Sequence, residues 1–544
     1  MPYQLGHRGY NACEIVWNLK YLIYYINKTL KTEQIPFFFC EFLSSLRFSK
    51  QSKRCTAVSH LTEKYIIPEM TPMEPYRSMD LSCRNADNIQ HLPSPLLLLT
   101  PENDGLQSSS IRLCSTSRPH MRAFHLGWTS FFVAFYAWFA IPPLIPTIKA
   151  ELELSSDQVN TSHIIAVSGT IFTRVIIGPL CDYYGPRRVQ SILLLWGTLP
   201  ILSAASMTSV TGFYLVRFFT GFIGGSFVCV THWNTLMFTP SVIGTVNAIA
   251  AGWGNLGAGM AYLTLPSVFA LFVHFGVADN VAWRVTMLLP CMLLLIFGFA
   301  LWHCAEDTPS GNFKRVVRKD TSQWSSLRET LRNRNTLVLS VHYACTFGIE
   351  LYVANAIGSY FIDEFQKEEC DSAVNDCSGL TQTQSGCLAS IAGLTNLFAR
   401  AFGGYLSDAA NRKYGIKGRI QLQGILLVFQ ACGLFAFSTI GDDIVTAALA
   451  LLCFMVMVQA AEGSTFSLVP YVAPDMNGTV SGVVGSAGNL GAVVFGILFS
   501  QIGDATDGFF YLSFIVLLSS VLCFFLNFTP ESTTIMPQRN NVQI

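Results

Sequence analysis

Gly252-Trp253-Gly254-Asn255-Leu256-Gly257-Ala258 and Ala487-Gly488-Asn489-Leu490-Gly491-Ala492 carry one pentapeptide, Gly-Asn-Leu-Gly-Ala, twice. Each copy lies inside a long apolar stretch and follows small residues, Ala251-Gly252 before the first and Ser486-Ala487 before the second. Glycine and alanine at this spacing let two membrane helices approach closely. Packing alone does not call for an amide in both copies, because a small apolar residue would fit as well. A polar Asn duplicated in this way implies two equivalent helices lining one polar cavity, as in a membrane protein built from two repeated halves.

A second repeat supports the same division. Arg174-x3-Gly178-x3-Asp182 recurs as Arg400-x3-Gly404-x3-Asp408. Around these landmarks the apolar segments are each about long enough to cross a bilayer. They fall at 123–148, 161–182, 190–209, 211–233, 242–273 and 281–303, then at 336–361, 385–407, 418–439, 443–471, 478–502 and 507–527. The fold expected is an all-α polytopic membrane protein of twelve spans in two six-helix, pseudo-symmetric halves. Its parts are an N-terminal tail (1–122), a first bundle (123–303), a central loop (304–335), a second bundle (336–527) and a C-terminal tail (528–544).

Composition agrees with a membrane protein. Of the 544 residues, 51% are hydrophobic and 12% charged, against roughly 25% charged in soluble domains. The formal net charge is zero, so no global field favours nucleic acid. The position of the charges is more informative. Arg187 and Arg188, then Lys314, Arg315, Arg318, Lys319, Arg328, Arg332 and Arg334, then Arg412, Lys413, Lys417 and Arg419 all fall on one side. Glu151, Glu153 and Asp157, and the cluster from Asp363 to Asp376, fall on the other. By lysine and arginine asymmetry the basic side and both termini are cytoplasmic. The sequon at Asn160 then faces outside. The cysteines show no zinc spacing, and Cys370 and Cys377 are the pair placed to form a short outer disulfide. The tail lacks the ordered regions of a secretory signal and reads as disordered, with Met70, Met73, Met79 and Met121 as alternative starts.

Arg174 and Arg400 each lie eight residues before an Asp at the basic end, about 12 Å deeper at 1.5 Å per residue. Insertion scales put an arginine at the bilayer centre at a cost of about 2.5–3.5 kcal/mol. No carboxylate appears on the cavity side of either span, so a mobile planar oxyanion matched to the guanidinium fork is one partner. The other reading is a structural salt bridge from Glu350 or Glu462. Asn255 and Asn489 are candidate donors to the same anion, and Phe227 and Tyr343 candidate stacking walls. No HExxH, GxSxG or P-loop sequence occurs, which argues against a membrane-embedded enzyme.

Gly178-Pro-Leu-Cys-Asp182-Tyr-Tyr-Gly185-Pro-Arg187-Arg188 resembles the loop between helices 2 and 3 of the major facilitator superfamily, and Arg217-x3-Gly221-x3-Gly225 resembles its second common motif. Gly178, Asp182, Gly185 and Arg187, with Gly404 and Asp408 in the other half, are thus candidates for a conformational motif. Within that superfamily the paired asparagine motifs are similar to those of the nitrate/nitrite porters. Phe124-His125-Leu126, Phe347-Gly-Ile-Glu350-Leu and Arg400-Ala-Phe-Gly-Gly-Tyr-Leu-Ser-Asp408 add to this, and Gln459-Ala-Ala-Glu462-Gly-Ser-Thr-Phe466 resembles the eukaryotic high-affinity branch. The resemblance covers about residues 123–530. It implies that Arg174 and Arg400 clamp nitrate, with Phe227 and Tyr343 lining the site. One departure is Thr231-His232-Trp233, where the plant branch typically has Gln-Tyr-Trp.

Moving one charge across 100 mV is worth about 2.3 kcal/mol. Nitrate entry into a cell that is negative inside is therefore uphill; one co-transported proton would make the step electroneutral and two electrically favoured, and the resemblance implies proton-coupled uptake. The reading at this stage is a plasma-membrane transporter for nitrate and nitrite without a cofactor, proton-coupled, with Glu350 and Glu462 as the acids to test. Sodium coupling and nitrate/nitrite exchange are the other energetic schemes. The partners this reading admits are nitrate or nitrite, the lipid bilayer and an accessory membrane subunit. Its competitors are a carrier of another small oxyanion or organic anion, and a non-transporting nitrate sensor.

Overall fold

In hydrocarbon every backbone N–H and C=O must be paired within the protein, so apolar spans of this length fold as helices. The computed structural model describes residues 107–311, 313, 323–364, 388, 391–439 and 444–528, and these are helical apart from turns and two isolated β-bridges. The first half contains α1 (His120–Trp138, prolonged after a 3-10 turn by Ile145–Glu151), α2 (Ser156–Tyr184) and α3 (Pro186–Ser203). It continues with α4 (Val210–Met237), α5 (Ile243–His274) and α6 (Asp279–Cys304). In the second half α7 runs as Arg334–Tyr343, a π-turn Ala344–Gly348, and Ile349–Glu364. Then come α8 (Ala399–Tyr414), α9 (Ile416–Ser438), α10 (Ile444–Leu468), α11 (Asn477–Ile502) and α12 (Ala505–Val521).

Eleven helices among the described residues are long and apolar enough to cross a membrane. The span expected at 385–407 is the one missing from that number. Its described part is α8, with 391–394 helical before a 3-10 turn at Thr395–Leu397. The residues that would complete its outer end fall outside the described set.

Helix boundaries have local causes. Ser155 and Gln158 form a reciprocal capping box that starts α2. Gly185, at φ 88°, makes the turn into α3. A Cβ there would meet Asp307 Oδ1 at 2.9 Å, so the turn requires glycine both for conformation and for room. Arg187 then pairs with Asp307 at 3.1 Å and donates to the carbonyls of Trp302 and Ala305. The loop after α2 is thereby tied to the end of α6.

Two segments expected outside the bundles carry structure of their own. Residues 107–122, assigned to the tail, include the start of α1 and a segment held against the end of α4. Ser108 N–H donates to the Met237 carbonyl at 3.1 Å, and Thr239 N–H to the Ser108 carbonyl at 3.0 Å. The central loop carries a helix, Gln323–Arg332. The expected disorder of residues 1–106, the Cys370–Cys377 bridge, most of the acidic loop and residues 529–544 all lie outside the described residues.

Between the halves, α2 packs along α11, and α5 along α8. These are two copies of one contact related by the repeat, and they bring the buried arginines together.

Candidate functional site

The two arginines of the repeat converge on one pair of aromatic rings. Arg174 Cζ lies 5.2 Å from the Phe227 centroid and 5.4 Å from that of Phe347; Arg400 Cζ lies 5.9 Å and 5.8 Å from the same rings. Both side chains are almost wholly buried, at 1% exposure each. Tyr343 stands between, near-parallel to Phe227 (8°, centroids 6.1 Å) and to Phe347 (4°, 5.3 Å). Phe466 meets Phe227 and Tyr343 edge-on at 4.6 Å and 4.7 Å. A cation over a desolvated ring gains on the order of 1–2 kcal/mol, so the rings offset part of the burial cost of two like charges.

Irregular backbone positions these rings. α4 tightens to a 3-10 turn at Phe222–Gly225, immediately before Phe227, and its freed Gly224 carbonyl accepts from Arg174 Nε at 3.1 Å. The π-turn of α7, Ala344–Gly348, begins directly after Tyr343 and contains Phe347. Such bulges recur at functional sites because they re-aim side chains at small cost.

The two arginines differ in their partners. Arg174 donates to the carbonyls of Gly224 and Gly485, the latter at 2.8 Å, and pairs with no carboxylate among the described residues. Arg400 forms a buried ion pair with Glu462 at 2.6 Å and donates to the Tyr343 hydroxyl at 2.8 Å. Its Nη1 has no hydrogen-bond partner. Sequence reading placed an anion ahead of a salt bridge at both arginines. Glu462 occupies Arg400, whereas Arg174 has no carboxylate beside it among the described residues. Glu350 lies beside Glu462 and accepts from the amides of Asn396 and, at 3.0 Å, Gln459. The site thus gathers two guanidiniums and two carboxylates, all at 6% exposure or less.

The two asparagines differ in their hydrogen bonds. Asn489 is buried, but its amide donates to the Gly485 carbonyl at 3.1 Å, the acceptor that also binds Arg174. It therefore buttresses Arg174 through a shared oxygen, and its own Oδ1 is unpartnered. Asn255 is half-buried and stands apart from these hydrogen bonds. The glycines explain the rest of the motif. A Cβ on Gly488 would meet the Tyr343 ring at 2.6 Å, and one on Gly254 would collide with Phe131. Phe347, Phe466, Asn396 and Gln459 were not singled out as site residues from sequence. A readable signal existed, since Gln459, Glu462 and Phe466 follow the i, i+3, i+7 spacing of one helix face.

Toward the basic end, Asp182 and Asp408 do matching work. Neither α5 nor α11 has a side-chain cap of its own. Asp182 of α2 accepts from Gly478 N, Thr479 N and the Thr479 hydroxyl of α11, at 2.8, 2.7 and 2.6 Å. Asp408 of α8 accepts from Gly244 N, Thr245 N and the Thr245 hydroxyl of α5, at 3.1, 2.6 and 2.6 Å. Each acid satisfies the orphan donors and the positive dipole end of a helix in the opposite half. Arg419 joins Asp408 at 2.7 Å, whereas Asp182 has His232 at 3.7 Å. These bonds tie the two halves together at the basic end. Gly178 and Gly404 lie in the same two crossings.

Comparison with known proteins agrees with this geometry. Residues 127–496 match the model of the Major Facilitator Superfamily. The high affinity nitrate transporter 2.5 of Arabidopsis thaliana is 34% identical over 75% of this chain and 79% of its own length. Its companion 2.7 is 35% identical over 72% and 80%. The nitrate/nitrite transporter NrtP of Nostoc punctiforme is 26% identical over 76% and 93%. Among solved structures, the transporter FucP in its outward conformation superposes with a TM-score of 0.57 at 14% identity, over 75% of this chain and 99% of that one. That likeness speaks for the fold alone. With the halves, the cross-half caps and the paired arginines in place, the chain belongs to the Major Facilitator Superfamily and, within it, to the family of the high-affinity nitrate transporters.

Proposed function

We propose that this protein carries nitrate, and nitrite with it, across the plasma membrane by alternating access, with both termini cytoplasmic and without a cofactor. The observation that carries the reading is the convergence of Arg174 and Arg400 on Phe227 and Phe347. Two planar forks beside flat rings suit a planar, singly charged oxyanion. Relatives named as nitrate transporters support that choice of anion. An accessory membrane subunit is part of the proposal only as a partner to look for by co-purification.

The charges at the site suggest how a proton accompanies the anion. With both carboxylates ionised, Glu350 and Glu462 neutralise Arg174 and Arg400 in number, and Glu462 holds the Arg400 fork. Protonating one carboxyl leaves a single positive charge, which one nitrate restores to neutrality. Arg400 is then free to turn its fork from Glu462 to the anion. Proton and nitrate enter the buried site as a neutral pair, so neither is left uncompensated in low dielectric. When the basic end opens, a higher internal pH removes the proton and Glu462 displaces nitrate.

The test is labelled-nitrate uptake with current recording in a transport-null cell, for wild type, Arg174→Lys and Arg400→Lys. Lysine keeps the charge and loses the fork. Uptake is expected to fall by tenfold or more in both variants at normal surface amount, about 1.4 kcal/mol of lost recognition or greater. Wild-type uptake that ignores nitrate, or lysine variants that transport normally, would remove the clamp reading.

A further inference from the structure

Besides the clamp pair and Arg419, one more arginine is buried among the described residues. Arg217 of α4 is 3% exposed, and it pairs with no carboxylate among the described residues. Its Nε has no hydrogen-bond partner, and its Nη2 donates to His163 Nδ1 of α2 at 3.1 Å. Guanidinium can only donate, so His163 Nδ1 accepts and the ring proton sits on Nε2, which remains a donor. A lone buried cation beside a spare N–H donor is an incomplete anion site by the reasoning applied to Arg174.

Both side chains line a pocket of about 30 Å³ with Trp138, Phe139 and Pro142 of the first half and Leu351 of α7 in the second. The pocket therefore straddles the seam along which the halves move. Its size suits one or two waters or one small inorganic anion. Along α4, Arg217 precedes Phe227 by ten residues, and along α2 His163 precedes Arg174 by eleven. At 1.5 Å per residue the pocket is about 15 Å from the clamp, toward the end opposite the Asp182 and Asp408 caps.

We propose that Arg217 and His163 form an outer anion station that takes one small monovalent oxyanion before it reaches the Arg174–Arg400 clamp. The station goes beyond the central site and rests on the proposed function for the choice of nitrate as probe and for the clamp that follows it. A fixed positive charge on the path raises the local anion concentration and the rate of entry, and added salt weakens that effect.

The experiment is equilibrium dialysis of labelled nitrate against the full-length protein in lipid nanodiscs, for wild type, Arg217→Gln, His163→Phe and Arg174→Gln. At saturation the expected result is two nitrates per chain in wild type and one in each variant. Where Arg217→Gln does not fold, His163→Phe carries the test, because phenylalanine fills the ring's space without a donor. In uptake, Arg217→Gln, which removes the fixed charge, should raise the half-saturating nitrate concentration by about tenfold, more than it lowers the maximal rate. A purely structural role would instead lower the maximal rate and the folded amount together. One nitrate per chain in wild type, lost in Arg174→Gln and untouched in His163→Phe, overturns the station and leaves the clamp standing. Binding lost only in the Arg217 and His163 variants supports the station and overturns the clamp. Absence of binding in all four proteins overturns both.

Discussion

In the proposed mechanism coupling turns on Glu462, because it holds the Arg400 fork. Its buried pair with Arg400 at 2.6 Å weakens as the carboxylate takes up a proton, so wild-type nitrate affinity should rise as pH falls. Glu462→Gln removes the competitor at every pH. Taking one partner from a buried pair costs about 3–5 kcal/mol, so the empty variant should melt well below wild type. Nitrate replaces the missing charge and should restore up to about 2.7 kcal/mol at one hundred times its dissociation constant. Nitrate–nitrate exchange should persist while concentrative, pH-driven uptake disappears. A variant that still accumulates nitrate with the wild-type pH profile would assign coupling elsewhere. The arginines and both acids were legible because charge is rare inside apolar spans, so each occurrence stands out. Phe347 and Phe466 were not, since 41 phenylalanines give no compositional contrast, and only a shared helix face or the π-turn at Ala344–Gly348 separates them from core.

At the scale of helices, the glycine pattern sets how closely the halves meet. A Cβ at Gly178 of α2 would lie 2.6 Å from the Gly478 carbonyl of α11, and a Cβ at Gly482 of α11 would strike the Arg174 carbonyl. Gly482→Ala must push α2 from α11 or strain both, at about 1–3 kcal/mol, and it moves the backbone that carries Arg174. The expected outcome is a lower melting temperature together with weaker nitrate binding. Gly259→Ala in α5 is the control, because a Cβ there meets nothing within 4 Å; it should be near neutral. Equal effects from the two substitutions would show that helix approach at α2–α11 does not matter. Eleven of the expected spans are recognisable from hydrophobic length within a few residues of α1 to α7 and α9 to α12. The breaks inside α4 and α7 were hidden, because a 3-10 or π-turn depends on packing across the bundle and leaves no periodicity of its own. The asparagine repeat was over-read for a related reason. Equal sequence suggested equal roles, yet Asn489 supports Arg174 through Gly485 while Asn255 is only half-buried.

Across the whole molecule, the two caps couple the halves because each acid belongs to one half and caps a helix of the other. If the halves rock as rigid bodies, Asp182–α11 and Asp408–α5 break in a single transition, and weakening either must loosen both ends of the seam. Asp182→Asn keeps the shape and discards the charge that holds Gly478 and Thr479. Loss of a cap is worth about 0.5–2 kcal/mol, so the open population should rise about two- to thirtyfold. Asp408→Asn should act more strongly and also lower stability, because it strands Arg419, which is fully buried against it. Two buried serines report the opening: Ser481 on α11, two residues beyond the Asp182 cap, and Ser467 on α10, against Gly244 beside Asp408. Each is replaced singly by Cys in a chain whose native cysteines have been removed, and labelled from the basic end with a membrane-impermeant thiol reagent. Rigid-body rocking requires Asp182→Asn to accelerate labelling at Ser467→Cys as well as at Ser481→Cys, by similar factors. Acceleration confined to Ser481→Cys would mean that the α2–α11 end frays locally, and the duplicated caps would then be two separate latches rather than one gate.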